Sequence, residues 1–169
     1  MPSLQREIVR RIGDTQDRAE ALERGEPEPF RGCKVYRNTT QSISNGALTP
    51  VAYTRELWDK GGCWSAAVST HVIAPRAAYY LIVANVGWNN TDTDGDRYLQ
   101  AYDQDGNVLG SEGRSGISDA GQLLVASAHL AQGDYVVIKV YQDSGSSLNI
   151  SAASTANQHL NSVQFIRLP

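Results

Sequence analysis

The chain has 169 residues, 41% apolar and 20% charged, with a net charge of −3. That is enough for one folded domain with its own core, with or without an appendage. The mild acidity excludes bulk electrostatic attraction to nucleic acid or anionic lipid, and no stretch approaches the roughly 20 apolar residues of a membrane-spanning helix.

The N-terminus is charged and lacks an apolar leader core, so export by a cleaved signal is not expected. Residues 1–25 carry a helical pattern instead. Leu4, Ile8, Ile12, Thr15, Ala19 and Leu22 recur every three or four residues and form one thin apolar stripe. Glu7 with Arg11, Asp14 with Arg18, and Glu20 with Arg24 are acid-then-base pairs at i, i+4, the favourable order on a helix. Pro2 or Ser3 can start this helix and Gly25 can end it. At about six turns it is marginal alone in water. Leu4, Ile8, Ile12 and Leu22 are therefore the candidate contacts of an anchor or coiled coil. Residues 26–32, EPEPFRG, read as a stiff neck, because Pro27 and Pro29 push the residues before them toward extended geometry.

From Cys33 onward the chain reads as strands and turns. The predicted strands are 34–37, 41–44, 51–54, 70–74, 78–88, 98–103, 122–129, 135–142, 148–151 and 163–168, all rich in β-branched and aromatic residues. Asn45-Gly46, Gly61-Gly62, Asp94-Gly95, Asp105-Gly106, Gly133-Asp134 and Ser144-Gly145 punctuate them. Cys33 and Cys63 match no zinc spacing; they read as small core or turn residues, with a disulfide left open. The run Thr91-Asp92-Thr93-Asp94-Gly95-Asp96 could turn several oxygens toward one hard cation, so Asp92, Asp94 and Asp96 are a candidate calcium site. Solvated turn aspartates are the plainer reading, and Asp103 and Asp105 carry the same signal.

In the strand 135–142, Val136, Ile138 and Val140 share an apolar face that suits a sandwich core. Tyr135, Val137, Lys139 and Tyr141 share the other, which suits a surface covered by a partner subunit. About ten short strands with no helices between them argue for an all-β sandwich. The three histidines have no nucleophile or carboxylate partner in sequence, and neither G-x-S-x-G nor H-E-x-x-H occurs, so no enzyme is expected. Binding would use exposed loops, with residues 88–96 and 111–121 as candidates. Trp58, Trp64 and Trp88 could stack on sugars, although aromatics in such folds are more often core or interface residues.

Residues 34–168 resemble the globular head of the C1q/tumour-necrosis-factor family. The likeness lies in KVYRNTTQSISNG, ELWDKGGCWS, IAPRAAYYLIVANVGW, DRYLQAYDQDGNVLG, LAQGDYVVIKVYQDSGSSLNI and the closing FIRL. Its most specific parts are Pro75 followed by Tyr80, and the LxxGDxVxxxVxQ run from Leu130 to Gln142. The resemblance implies a jelly roll that assembles into a homotrimer, with Tyr135, Val137 and Tyr141 as the candidate trimer interface, and calcium as a ligand some related heads take. Similar heads occur on bacteriophage fibres, spikes and decoration proteins. The expectation is thus a virion structural protein assembled in the host cytoplasm. Residues 1–25 would dock on other virion proteins, and the head, residues 33–169, would meet a host-surface glycan or receptor. A free, secreted C1q-like recognition ligand is the alternative.

Overall fold

A computed structural model describes residues 31–89, 94–115, 121–152 and 161–168. The predicted helix over residues 1–25, with its anchor residues Leu4, Ile8, Ile12 and Leu22, lies outside the described residues, as do Asp92 and His159. Residues 31–168 form one compact unit.

That unit is an all-β sandwich. In chain order its strands are β1 (Gly32–Tyr36), β2 (Gln41–Ile43), β3 (Thr49–Pro50), β4 (Arg55–Asp59), β5 (His71–Ile73), β6 (Ala78–Asn89), β7 (Asp96–Asp103), β8 (Val108–Ser115), β9 (Gly121–Leu130), β10 (Tyr135–Gln142), β11 (Leu148–Ile150) and β12 (Ser162–Arg167). A single 3-10 turn, Ala66–Val68, interrupts the described residues, its first turn capped by the Ser65 side chain.

The long strand β6 organises one sheet of seven strands. It pairs with β9 along one edge and, along the other, with β12 and then β11. β1 and β4 continue outward from β12, and β2 from β11. The second sheet has five strands: β8, β7 and β10 lie side by side, and both β3 and β5 pair with β10. Strand alternation sends every second side chain into the space between the sheets. Tyr80, Ile82, Ala84 and Val86 of β6 meet Leu99 and Ala101 of β7 and Val136, Ile138 and Val140 of β10 in one buried cluster. The predicted inward face of 135–142 is thus the observed one.

Nine of the ten predicted strands correspond to observed ones, 135–142 with the same ends and the others with shifted ends; 51–54 is not a strand, and Thr49–Pro50 pairs just before it. β1 begins at Gly32, inside the predicted neck. Two strands carry no strong sequence signal, β4 (RELWD) and β8 (VLGSEGRS). β8 runs through part of the predicted binding loop 111–121, so residues 111–115 are sheet and not loop.

β8 closes the sandwich against β9, and Gly110 is what lets it do so. A Cβ at that position would stand 3.0 Å from the Ala126 Cβ and 3.1 Å from the Leu124 Cδ1. Gly32 works likewise in β1, where a Cβ would fall 2.2 Å from the Phe165 carbonyl oxygen.

The resemblance motifs have structural work to do. Asp134 ties the β9–β10 turn: its Oδ2 accepts the Ala131 N–H (2.8 Å) and its Oδ1 accepts the Gln104 Nε2 (3.0 Å). Buried Gln142 ends β10 by donating Nε2 to the Ile43 and Ser146 carbonyls, while its Oε1 accepts the Ser144 N–H and hydroxyl. The Tyr80 ring stacks on Phe165 at 4.4 Å, and its hydroxyl donates to the Arg76 carbonyl just after Pro75.

Candidate functional surfaces

With the inward faces buried against each other, the described residues offer two outer faces and the turns for contact. On the five-stranded sheet, Tyr135, Val137, Lys139 and Tyr141 point outward, as the alternation predicts. Neighbouring side chains already cover much of them. Val137 is only 7% exposed. Tyr135 stacks on His71 at 4.0 Å, Lys139 Nζ sits 4.3 Å above the Tyr102 ring, and Tyr141 lies 5.9 Å from Tyr98.

The most exposed apolar side chains stand on the other sheet. Tyr79 is 61% exposed, Val125 58% and Leu123 54%. They belong to the antiparallel pair β6–β9, where Tyr79 faces His129, Val83 faces Val125 and Asn85 faces Leu123. Half-buried Leu81 and Val83 sit between them, and Ile166 of β12 pairs with Leu81. The result is an outer face on β9, β6 and β12 with several apolar side chains, interrupted by Asn85, Ser127, His129 and Gln164. Sequence reasoning placed β9 as a strand but missed this face. The available signal was LLVASAH: a strand with apolar residues at both odd and even positions is apolar on both sides.

The turns are built from aspartates that serve the backbone. Asp59 Oδ1 accepts the N–H groups of Gly61, Gly62 and Cys63, and its Oδ2 that of Trp64, closing the loop after β4. Asp103 accepts from the Asp105 and Asn107 backbones and from the Asn107 side-chain amide. That side-chain bond is the main cause that holds the Asp103 carboxyl below the usual carboxylate range. Asp103 is therefore the clamp of the β7–β8 turn. Of the candidate calcium residues, Asp96 takes up hydroxyls from Ser115 and Tyr98, and Asp94 is exposed. Among the described residues, no three His, Cys, Asp or Glu side chains converge to hold a metal ion.

A cleft of about 400 Å³ opens on the outer face of the five-stranded sheet, lined by Leu48, Asp96, Tyr98, Gln100, Tyr141 and Asp143. Trp88 is no sugar platform. It is 3% exposed, its Nε1 donates to the Gln122 Oε1 at 2.8 Å, and the Arg97 guanidinium lies 5.7 Å from its ring. Trp64 is half-buried and donates Nε1 to the Ser69 carbonyl. His71 is half-buried against Tyr135, and burial lowers its pKa; His129 packs edge-on against Tyr79. Cys33 and Cys63 are both buried and brought together as thiols. Hydrogen bonding between them, then burial, pushes the Cys33 thiol far above its usual range, which makes it a poor nucleophile.

This two-sheet architecture has known counterparts. The chain is similar to the globular domain of zebrafish complement 1qA protein, with 14% identity over 82% of this chain and 98% of that one, at a TM-score of 0.55. It is similar to murine APRIL (16% identity, 83% and 100% covered, TM-score 0.62) and to Eiger TNF from S. frugiperda (15%, 84% and 94%, TM-score 0.58). No protein-family model and no curated protein matches the chain. At such identities the likeness is one of fold, and the fold is the C1q and TNF jelly roll.

Proposed function

We propose that this protein is a non-enzymatic structural and interaction protein whose head closes into a homotrimer. The observation that carries the reading is the apolar outer face of β6 and β9. Tyr79, Leu123 and Val125 are each more than half exposed in the single chain; Val125 pairs with Val83, Leu123 stands two residues along β9, and Tyr79 lies on the same face beyond Leu81. Large exposed apolar side chains gathered on one sheet face are costly in water and mark a contact surface. The C1q and TNF fold supports self-association as the way it is covered. We assign the principal contact to this face in preference to Tyr135, Val137 and Tyr141, whose own neighbours already cover much of them.

Light scattering on the purified chain is expected to give three times the subunit mass. Val125→Arg is expected to yield monomer with unchanged β-sheet circular dichroism, because an exposed strand position tolerates the change within about 0.5 kcal/mol. A monomeric wild type at micromolar concentration, its β6–β9 face bare, would overturn the assignment.

In the fuller reading the trimer is a head on a bacteriophage virion, joined to the particle through the stripe Leu4, Ile8, Ile12 and Leu22, and its free end meets a host-surface glycan or receptor. What supports it is the amphipathic pattern and Pro-containing neck ahead of a head that has its own core. A chain lacking residues 1–25 is expected to stay folded and trimeric yet fail to join the particle. Incorporation of the shortened chain would remove the anchor from consideration. A secreted recognition ligand is the second reading. An oxidised Cys33–Cys63 pair in protein isolated from its native source would favour it.

A further inference from the structure

The five-stranded sheet carries a second surface, chemically unlike the first. Asp96, Tyr98 and Gln100 alternate along β7, so they stand on one side of the strand, and with Leu48, Tyr141 and Asp143 they line the cleft. Tyr98 and Tyr141 are directly opposed in the β7–β10 register. Their ring centroids are 5.9 Å apart with 48° between the planes, which gives an aromatic wall with two differently angled faces. At the end of that wall, Asp143 Oδ1 accepts the Asp96 backbone N–H at 2.5 Å. This bond ties the strand ends, and both Asp96 and Asp143 belong to the lining of the cleft. The Asp96 carboxylate raises the Tyr98 pKa by its charge and then by its hydrogen bond, and Asp143 adds to the effect. Negative potential therefore covers the rim of the rings.

No lysine or arginine is among the six lining residues. Further along β10, the same sheet face pairs a tyrosine with an ammonium: Lys139 Nζ lies 4.3 Å above the Tyr102 ring. The cleft offers two rings and two carboxylates, with no cation among its six lining residues. A hard metal ion wants several oxygens converging on a point, whereas two rings and Leu48 make up much of this lining. A neutral sugar would leave the charge of the two carboxylates unanswered. An alkylammonium fits both: its carbons lie on apolar surface, and its charge meets ring faces and carboxylates. The cleft is open to solvent, which suits the end of a side chain presented from another molecule.

We infer that this cleft binds the ammonium end of a lysine side chain presented by a partner protein. The lysine methylenes rest on Leu48 and the Tyr98 and Tyr141 rings, and the ammonium sits between Asp96 and Asp143.

The test is a nuclear magnetic resonance titration of the full chain with N-acetyl-lysine-methylamide, with N-acetyl-norleucine-methylamide as the uncharged probe. The lysine probe is expected to shift the Tyr98 and Tyr141 signals saturably, with affinity that falls as salt is raised. Asp143→Asn keeps Oδ1 as acceptor for the Asp96 N–H, so the strand ends stay tied, and it is expected to weaken the probe several-fold. Tyr141→Leu removes a ring and leaves both carboxylates in place, and a comparable weakening is expected. Equal shifts with the norleucine probe, or titrations unchanged in both variants, would overturn the assignment. Displacement of the lysine probe by stoichiometric calcium would make the cleft a metal site. Tighter binding of free butylammonium than of the lysine probe would exclude a protein side chain as the natural occupant.

Discussion

Phe165→Ala is expected to lower the unfolding free energy by about 3–5 kcal/mol, the range for deleting a buried aromatic side chain. Phe165 is fully buried on β12, and its ring lies parallel to that of fully buried Tyr80 at 4.4 Å. Three layers of consequence follow from one truncation. The cavity would open between β12 and β6, the strands that carry the centre of the seven-stranded sheet. Tyr80 would lose its stacking partner, worth about 0.5–1.5 kcal/mol beyond area burial. Its hydroxyl would keep the Arg76 carbonyl, so the ring cannot swing into the space without breaking that bond. Urea unfolding followed by circular dichroism measures the change, with wild type and variant at equal protein concentration because the proposed association would contribute to apparent stability. A loss below about 1 kcal/mol would mean that the neighbours collapse into the gap and that the stacked pair adds little to the sheet's stability.

Gln122→Leu is the second large expectation, and it concerns a polar group in an apolar core. Gln122 is fully buried on β9. Its Oε1 accepts the Trp88 indole N–H, and its Nε2 donates to the Arg97 carbonyl at 3.0 Å and to the Glu112 carboxylate at 2.8 Å. One amide thereby joins β6, β7, β8 and β9 across the closing edge of the sandwich. Leucine has nearly the same bulk but no polar atoms, so it strands several buried partners at once. Each buried group left unsatisfied costs about 1–3 kcal/mol, and partial rescue by water at the Glu112 edge puts the expected total near 2–4 kcal/mol. The Trp88 fluorescence should shift at the same time, since the indole N–H loses its acceptor. An unchanged unfolding midpoint would show that the network contributes specificity without net stability.

These two sites differ in how far the sequence betrays them. Phe165 sits in an apolar closing segment, and its strand was predictable from composition alone. Gln122 was counted within a predicted strand, but nothing in its neighbourhood marks it as buried. Its burial depends on Trp88, Arg97 and Glu112, which are far from it along the chain and reach it only through sheet pairing. The same contrast runs through the surfaces. The two-faced alternation of Tyr135–Gln142 was legible, and its apolar side is the core side. The stripe of Tyr79, Leu123 and Val125 was not, because apolar residues on a strand do not say which face is covered. β8 was hidden by its glycines and serines, which weaken any strand signal. Those small residues let it approach β9, as the crowding at Gly110 shows.

The aspartates make the point from the polar side. Asp59, Asp103, Asp134 and Asp143 look alike in sequence, each near a glycine in a turn. Three of them hold turns by accepting local N–H groups within a few residues. Asp143 instead accepts the backbone N–H of Asp96 on the neighbouring strand, and that long-range bond brings both residues into the lining of one cleft.

The order of apolar and polar residues alone determined that this chain makes short strands, where most of its turns fall, and that the result is a sandwich with the even-numbered side chains of β10 inward. Local alternation and turn chemistry are enough for that, because each acts within a few residues. Which strands become neighbours was decided only in three dimensions, and with it the apolar face on β6 and β9, the meeting of Cys33 with Cys63, and the cleft between Tyr98 and Tyr141. Those features join residues tens of positions apart, and pairing at such distances is selected by the packing of the whole core.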